Sequence, residues 1–240
     1  MSELLPNLAL SEHLTEGVWH VANGSRPLRW SAQGRRQCLP AGWQGLLVVN
    51  GGWQWEGEPT DFCAIGCQAL VKLQVFIDEG EGVPGLTGTP GVPACLPLGT
   101  AVARCAQALE RWYVQQAFHA SADYECFARA LRSGEEYWLV RYLLEQGRGQ
   151  DSLQALAQRY GVSVSHFRRL CRQALGGATK PALRSWRVAR ALLEIIDEGR
   201  SLTEVAQNQG YCSSSHFSRD VRELLGVPPS RLGDIVGALR

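Results

Sequence analysis

The sequence contains no long hydrophobic run. No apolar stretch approaches the roughly 20 residues that a membrane-spanning helix needs. Residues 1–10 also lack the basic segment followed by a long apolar core that marks a secretory signal peptide. We therefore expect a cytoplasmic protein that has no membrane partner.

The sequence also lacks the motifs of common metal, phosphate and catalytic sites. Structural zinc sites normally use two close cysteine pairs, and among the eight cysteines only Cys63 and Cys67 form one. The glycine-rich segment 80–91 lacks the Lys-Ser/Thr ending of a phosphate-binding loop. A zinc-dependent DNA-repair regulator is a weaker alternative, because a Pro-Cys-His-Arg methyl-transfer motif is absent. We expect reduced cysteines, no cofactor, no metal and no catalytic residue.

Charge is distributed unevenly, although the formal net charge is only +1. The segment 159–190 holds eight basic residues and no acidic one. A concentrated cationic segment suits a polyanion, but a basic run alone is about as often a solvated surface. Charge therefore suggests nucleic acid without deciding for it.

Residues 1–98 are rich in Gly, Pro and Trp and predict a β-rich, barrel-like regulatory domain. We expect strands at 46–50, 53–56 and 69–77, and an irregular loop over 79–97. Five tryptophans are candidates for a ligand pocket, but aromatic residues in a β domain are more often core: Trp19, Trp30, Trp43, Trp53 and Trp55. Residues 99–134 predict a helical linker that is a candidate homodimerisation segment.

Residues 135–240 predict an all-α domain, which makes the fold class α+β. Helices are expected at 135–146, after an Asp151 or Ser152 cap as far as Gly161, after a Ser163 cap as far as Gly176, and at 181–198. The last of these should bury a stripe formed by Trp186, Ala189, Leu193 and Ile196.

The C-terminal domain contains an internal repeat. Segment 152–176 aligns with segment 201–226 after one insertion in the turn, which indicates two helix-turn-helix units. Gly161 and Gly210 occupy the turns, where a positive φ is needed. The aligned identities include Ser152/Ser201, Ala157/Ala206, Ser165/Ser215, His166/His216, Phe167/Phe217, Arg169/Arg219 and Arg172/Arg222.

The second helix of each unit has an apolar stripe and a polar stripe at helical spacing. In the first unit Phe167 and Cys171 belong to the core stripe, and in the second unit Phe217, Val221 and Leu224 do. Arginine offers a bidentate donor to guanine, and serine donates or accepts, so the polar stripes are candidate base-reading faces: Ser165, Arg168, Arg169 and Arg172 in the first unit, and Ser214, Ser215, Ser218, Arg219 and Arg222 in the second.

The helix 181–198 connects the two units and is about 27 Å long at 1.5 Å per residue, close to one turn of B-DNA. We therefore expect one chain to read a bipartite site. Lys180, just before this helix, and Arg184 within it are candidate phosphate contacts, and Arg187 is a further candidate DNA-binding residue. Since basic and acidic residues balance in the second unit, the first unit should supply most of the affinity.

The second unit also carries a specific pattern: Gly210-Tyr211, Ser213, the sequence SHFSR from Ser215 to Arg219, Gly226-Val227 and Pro229. With this pattern the segment from about 135 to 232 resembles the DNA-binding domain of the AraC/XylS family. Val221 stands where the family usually has Phe, and Asp220 and Glu223 add acid to the second reading helix.

Three further segments resemble the InvF-like activators of type III secretion genes: 137–140, 166–171 and 184–187. This resemblance implies a transcription activator that binds double-stranded promoter DNA, works with RNA polymerase and is assisted by a secretion chaperone of the tetratricopeptide-repeat class. The alternative within the family is a regulator whose N-terminal domain binds a small molecule.

Overall fold

The computed structural model describes residues 17–32, 35–49, 53–55, 62–66, 68–83, 94–99, 102, 105–147, 151–198 and 200–231, without the side chains of 32, 35, 53–55, 62–66, 197, 198 and 230. The chain forms two compact units, which divide after Trp138. The sequence-based boundary lies slightly earlier, between residues 134 and 135, and it stays a prediction.

The N-terminal unit contains two antiparallel sheets. The strands are β1 (Gly17–Asn23), β2 (Leu28–Ala32), β3 (Arg35–Leu39), β4 (Gln44–Val49), β5 (Trp53–Trp55), β6 (Phe62–Gly66) and β7 (Ala94–Pro97). One sheet has the order β6-β1-β4-β7 and the other β3-β2-β5. The expectation of β structure at the N-terminus is confirmed.

Both sheets contribute to one apolar core. Its buried members include Val21 of β1, Trp30 of β2 and Leu47 of β4, and Trp19 and Trp43 pack against it half-buried. Trp30 is only 1% exposed, so it is a core residue, as aromatic residues of a β domain usually are. The side chains of Trp53 and Trp55 lie outside the described residues.

Two local predictions in this unit are wrong. Segment 69–77 is helical rather than extended and belongs to helix α1 (Ala69–Gly80). Its buried residues, Leu70, Val71, Gln74, Val75 and Asp78, recur at helical intervals, and this period was hidden by β-branched composition. The prediction of a loop over 79–97 is wrong at its end, because residues 94–97 form strand β7. This strand pairs with β4 from Val48↔Ala94 to Gly45↔Pro97.

Helices α2 (Ala106–His119) and α3 (Ala122–Arg132) follow within the segment 99–134, and the role of this segment as a linker stays a prediction. A buried polar cluster connects them to α1. The Asp78 carboxylate accepts hydrogen bonds from Arg132 at 2.9 and 2.6 Å, from Tyr137 at 2.6 Å and from Gln74 at 2.9 Å. Gln74 Oε1 in turn accepts from the hydroxyls of Tyr113 and Tyr124.

The charge of Asp78 is retained inside this cluster. Burial alone would raise the pKa of the carboxyl, but the hydrogen bonds from Arg132 and Tyr137 and the positive charge of Arg132 outweigh burial and lower the pKa below its ordinary value. Asp78 is fully buried, so the neighbouring donors are what permit an ionised carboxylate there.

Helix α4 (Glu135–Gln146) agrees with its prediction, and five more helices follow it in the described residues. These are α5 (Leu153–Tyr160), α6 (Val164–Leu175), α7 (Thr179–Glu198), α8 (Leu202–Asn208) and α9 (Ser214–Leu225), followed by a short 3-10 turn (Pro229–Arg231). Ser152 and Ser163 accept hydrogen bonds from the first turns of α5 and α6, and Gly161 and Gly176 end them in the left-handed conformation. Helix α7 begins two residues before Pro181.

Helix α7 packs with a different face from the one expected. Ala189 is exposed and Leu193 is 57% exposed, so the predicted buried stripe is wrong. Val188 and Ala191 are buried instead, in a core shared with Val205 of α8 and Phe217 of α9. A stripe displaced by one residue is rotated by about 100° around the helix axis, which explains how a pattern with the correct period gave the wrong face.

No helix in the described parts of the chain combines the length and apolarity needed to cross a membrane.

Candidate nucleic-acid interface

Helix α6 separates its core face from its polar face completely. Phe167, Cys171 and Ala174 are buried. All four predicted reading residues of this helix, Ser165, Arg168, Arg169 and Arg172, are exposed. Burial also raises the pKa of the Cys171 thiol, so this cysteine acts as a small apolar core residue. The face that the sequence predicted is therefore available to a partner.

One side chain on this face is held by its neighbour. Nη2 of Arg169 lies 3.0 Å from Nδ1 of His166. Since a guanidinium only donates, a hydrogen bond between these two atoms uses Nδ1 of the imidazole as its acceptor. This contact holds the Arg169 side chain. Because its partner is an imidazole and not a carboxylate, the contact does not neutralise the positive charge of Arg169.

A cleft beside α6 is lined by cations and by two helix N-termini. Arg168 and Arg172 of α6 and Lys180 of α7 line it, together with the N-cap residue of α5, Ser152, and the start of α7 at Thr179. Helix N-termini and cations both attract anions. The cleft therefore suits a phosphate of a nucleic-acid backbone.

Helix α9 presents the corresponding face of the second unit. Ser215, Arg219 and Arg222 are exposed, and Ser214 and Ser218 are half-buried. Its core side consists of Phe217 and Val221, whereas Leu224, expected in the core, is 41% exposed. The second face thus has fewer exposed cations than the first.

The cations of α7 line a second cleft together with α9. Lys180, Arg184 and Arg187 face it from α7, and Arg219 faces it from α9. Lys180 is exposed, whereas the Arg187 guanidinium lies 5.5 Å from the centre of the Tyr211 ring, at cation–π distance. Burial raises the pKa of Tyr211 to about 12, so this ring remains neutral.

Arg184 has acidic partners on the second reading helix. Its Nη2 lies 2.7 Å from Oδ1 of Asp220 and also contacts the carboxylate of Glu223. Hydrogen bonds to these two carboxylates raise the pKa of Arg184 above its ordinary value. Sequence reasoning found all three residues but missed the pairing, because Arg184 and Asp220 belong to different helices and no periodicity relates them.

Within the described residues, no group of three or more His, Cys, Asp or Glu side chains is arranged to hold a metal ion. Cys63 and Cys67 lie outside the described side chains.

Comparison with known proteins agrees with this geometry. The helix-turn-helix domain family model matches residues 156–234. The chain is 39% identical to invasion protein InvF of Salmonella typhimurium strain LT2 over 177 residues, which are 73% of this chain and 82% of InvF. The chain belongs to the AraC/XylS family of transcription regulators. It is a DNA-binding protein, as the repeat predicted, with β-strands in its N-terminal unit and a helical C-terminal domain.

Two further relatives match smaller parts of this AraC/XylS protein. The transcriptional regulator MxiE of Shigella flexneri is 38% identical over 107 residues, 44% of this chain and 51% of MxiE. The bifunctional transcriptional activator/DNA repair enzyme Ada of Escherichia coli is 36% identical over 76 residues, 32% of this chain and 21% of Ada. The likeness to Ada thus covers a minor part of both proteins.

Proposed function

We propose that this protein activates genes of type III secretion by binding their promoters with two unequal helix-turn-helix units. The observation that carries the proposal is the exposed, acid-free reading face of α6, which opposes a fully buried core face on the same helix. The likeness to InvF and MxiE supports the choice of target genes.

The reading faces suggest how affinity is divided between the units. Arg168, Arg169 and Arg172 give α6 three exposed cations, and α9 offers Arg219 and Arg222. Each good bidentate contact to a base discriminates by about 1–3 kcal/mol. We therefore assign most of the affinity to α6 and its neighbouring cleft, with Lys180 as a phosphate contact.

Partners follow from the family resemblance rather than from the described contacts. RNA polymerase is required by any activator, and a secretion chaperone of the tetratricopeptide-repeat class is the expected co-activator. Homodimerisation through the segment 99–134 is part of the same proposal. Because promoter DNA and RNA polymerase are in the cytoplasm, the protein works there, and no catalytic step is assigned to it.

The proposal is tested by selecting duplexes from a randomised library with the wild-type protein and measuring their affinities. Arg168→Ala and Arg169→Ala should each cost about 1–3 kcal/mol at the selected site and relax base preference there. Full specific affinity in both variants would overturn the assignment of this face.

A chaperone role is tested separately, by repeating the titration with a co-purified candidate chaperone. The proposal expects tighter promoter binding in its presence. Equal affinity with and without the chaperone would remove it from the mechanism of DNA binding.

A further inference from the structure

We propose that Arg184 positions the second reading helix, and that its ion pair with Asp220 determines which α9 side chains reach the DNA bases. Arg184 would then act through Asp220 instead of through a phosphate. The inference rests on the proposed function, because it concerns how the second unit reads DNA. Four observations within the C-terminal unit support it.

The first observation is the burial of Asp220. This residue is only 5% exposed, although it lies on a helix whose neighbouring residues Arg219 and Arg222 are exposed. A buried carboxylate needs a charged or hydrogen-bonding partner. Arg184 supplies that partner at 2.7 Å, whereas the His216 ring nitrogen is 4.0 Å away.

The second observation is that Arg184 contacts two turns of α9 at once. The same guanidinium nitrogen contacts Asp220 and Glu223, which lie three residues apart and therefore on one side of the helix. Two contacts along one side resist rotation of α9 about its axis. A rotation of one residue position would be about 100°, enough to turn Arg219 away from a groove.

The third observation is an apolar contact between the same two helices. Val188 and Ala191 of α7 share a core with Phe217 and Val221 of α9. Burial of apolar side chains holds the helices together but is non-directional, whereas the charge-assisted hydrogen bonds of the ion pair have a defined geometry. The ion pair therefore supplies the directional part of the junction.

The fourth observation is the contrast with the first unit. Leu170 stands in the repeat where Asp220 stands in the second unit, and it is half-buried. Helix α6 thus has no acidic residue at the equivalent position. The acid of the second reading helix is a feature of its attachment to α7, and its charge is balanced within the protein.

The test compares five variants of the full chain: Arg184→Gln, Arg184→Lys, Asp220→Asn, the double variant Arg184→Gln/Asp220→Asn, and Lys180→Gln. Lys180→Gln is the matched control, since it removes one exposed cation from the same helix, one turn away. Thermal melting is measured without DNA. Base preference is measured on single-base variants of a duplex that the wild-type protein selects from a randomised library.

We expect Arg184→Gln to lower the melting temperature, and Asp220→Asn in the same chain to restore part of the loss. Discrimination between bases at the positions read by the second unit should fall about tenfold, the equivalent of one good base contact. Discrimination at the positions read by the first unit should be unchanged. Arg184→Lys should retain part of both properties. Lys180→Gln should leave the melting temperature unchanged and weaken binding to all DNA sequences alike.

Two outcomes overturn the inference. One is additive melting effects of Arg184→Gln and Asp220→Asn, which would show that the residues are not coupled. The other is an Arg184→Gln variant whose affinity falls equally for all DNA sequences, as the loss of a phosphate contact would cause. If the wild-type protein selects no sequence, the proposed function fails and the reading role with it, while the melting cycle still decides whether the pair is coupled.

Discussion

Replacing Arg132 by Met should destabilise the N-terminal unit strongly. The Asp78 carboxylate is fully buried, and Arg132 supplies its only cation within the described cluster as well as two of its four hydrogen bonds, at 2.9 and 2.6 Å. Removing one partner of a buried ion pair leaves an uncompensated charge and typically costs about 3–5 kcal/mol. Tyr137→Phe removes one hydrogen bond to the same carboxylate and should cost less, about 1.5–3 kcal/mol.

The dependence on pH gives this prediction a second, more specific signature. In the wild type the pKa of Asp78 is lowered on folding, so its stabilising contribution is present above the ordinary carboxyl pKa and is lost as pH falls through the folded value. Without Arg132, burial dominates and the pKa should rise above the ordinary value. The variant then gains stability on mild acidification, so the difference between variant and wild type should shrink.

The assay is urea unfolding of the full chain followed by tryptophan fluorescence, at neutral and at mildly acidic pH. Arg129→Met is the matched control, because Arg129 lies on the same helix and is exposed. An Arg132→Met variant as stable as this control would refute the reasoning. A loss that stayed constant with pH would show that packing, and not the charge of Asp78, explains the effect.

Three smaller changes test the helix-turn-helix units. Gly161→Ala should cost about 1 kcal/mol, because Gly161 has φ +85°, whereas Gly177→Ala should be nearly neutral, since open space surrounds Gly177; equal melting temperatures would contradict this. Ser201→Ala removes the capping box with Glu204 and should cost about 1 kcal/mol, which chemical denaturation measures. His166→Ala removes the acceptor of Arg169 and should reduce discrimination several-fold at the base read by Arg169 only; unchanged base preference would exclude this role.

The boundaries of α5 and α6 could be predicted from the sequence because each is set locally. Ser163 caps α6 through its own hydroxyl, and Gly176 ends it through its own backbone freedom. Helix α1 could not be predicted in this way. Its β-branched residues favour a strand locally, and only burial of one side decides for a helix.

The reading face of α6 was also predictable, because its spacing separates core from surface within one helix. The contact of Arg184 with Asp220 was not, since it depends on how α7 packs against α9. Because the sequence pattern places the buried face of α7 one residue out of register, it cannot indicate which arginines of α7 meet α9. Pairings between helices therefore require the tertiary arrangement.

The unlike chemistry of His166 and His216 has a consequence for promoter architecture. His166 contacts an arginine of its own reading helix, whereas His216 lies near Asp220 and the ring of Tyr211. These two histidines occupy equivalent positions of the repeat but make different contacts, so the two halves of the domain are not interchangeable. A DNA site read by these two units is asymmetric, so a single bound chain has one orientation along the promoter. Inverting the site should then reverse the surface that the protein offers to polymerase, even where affinity is unchanged.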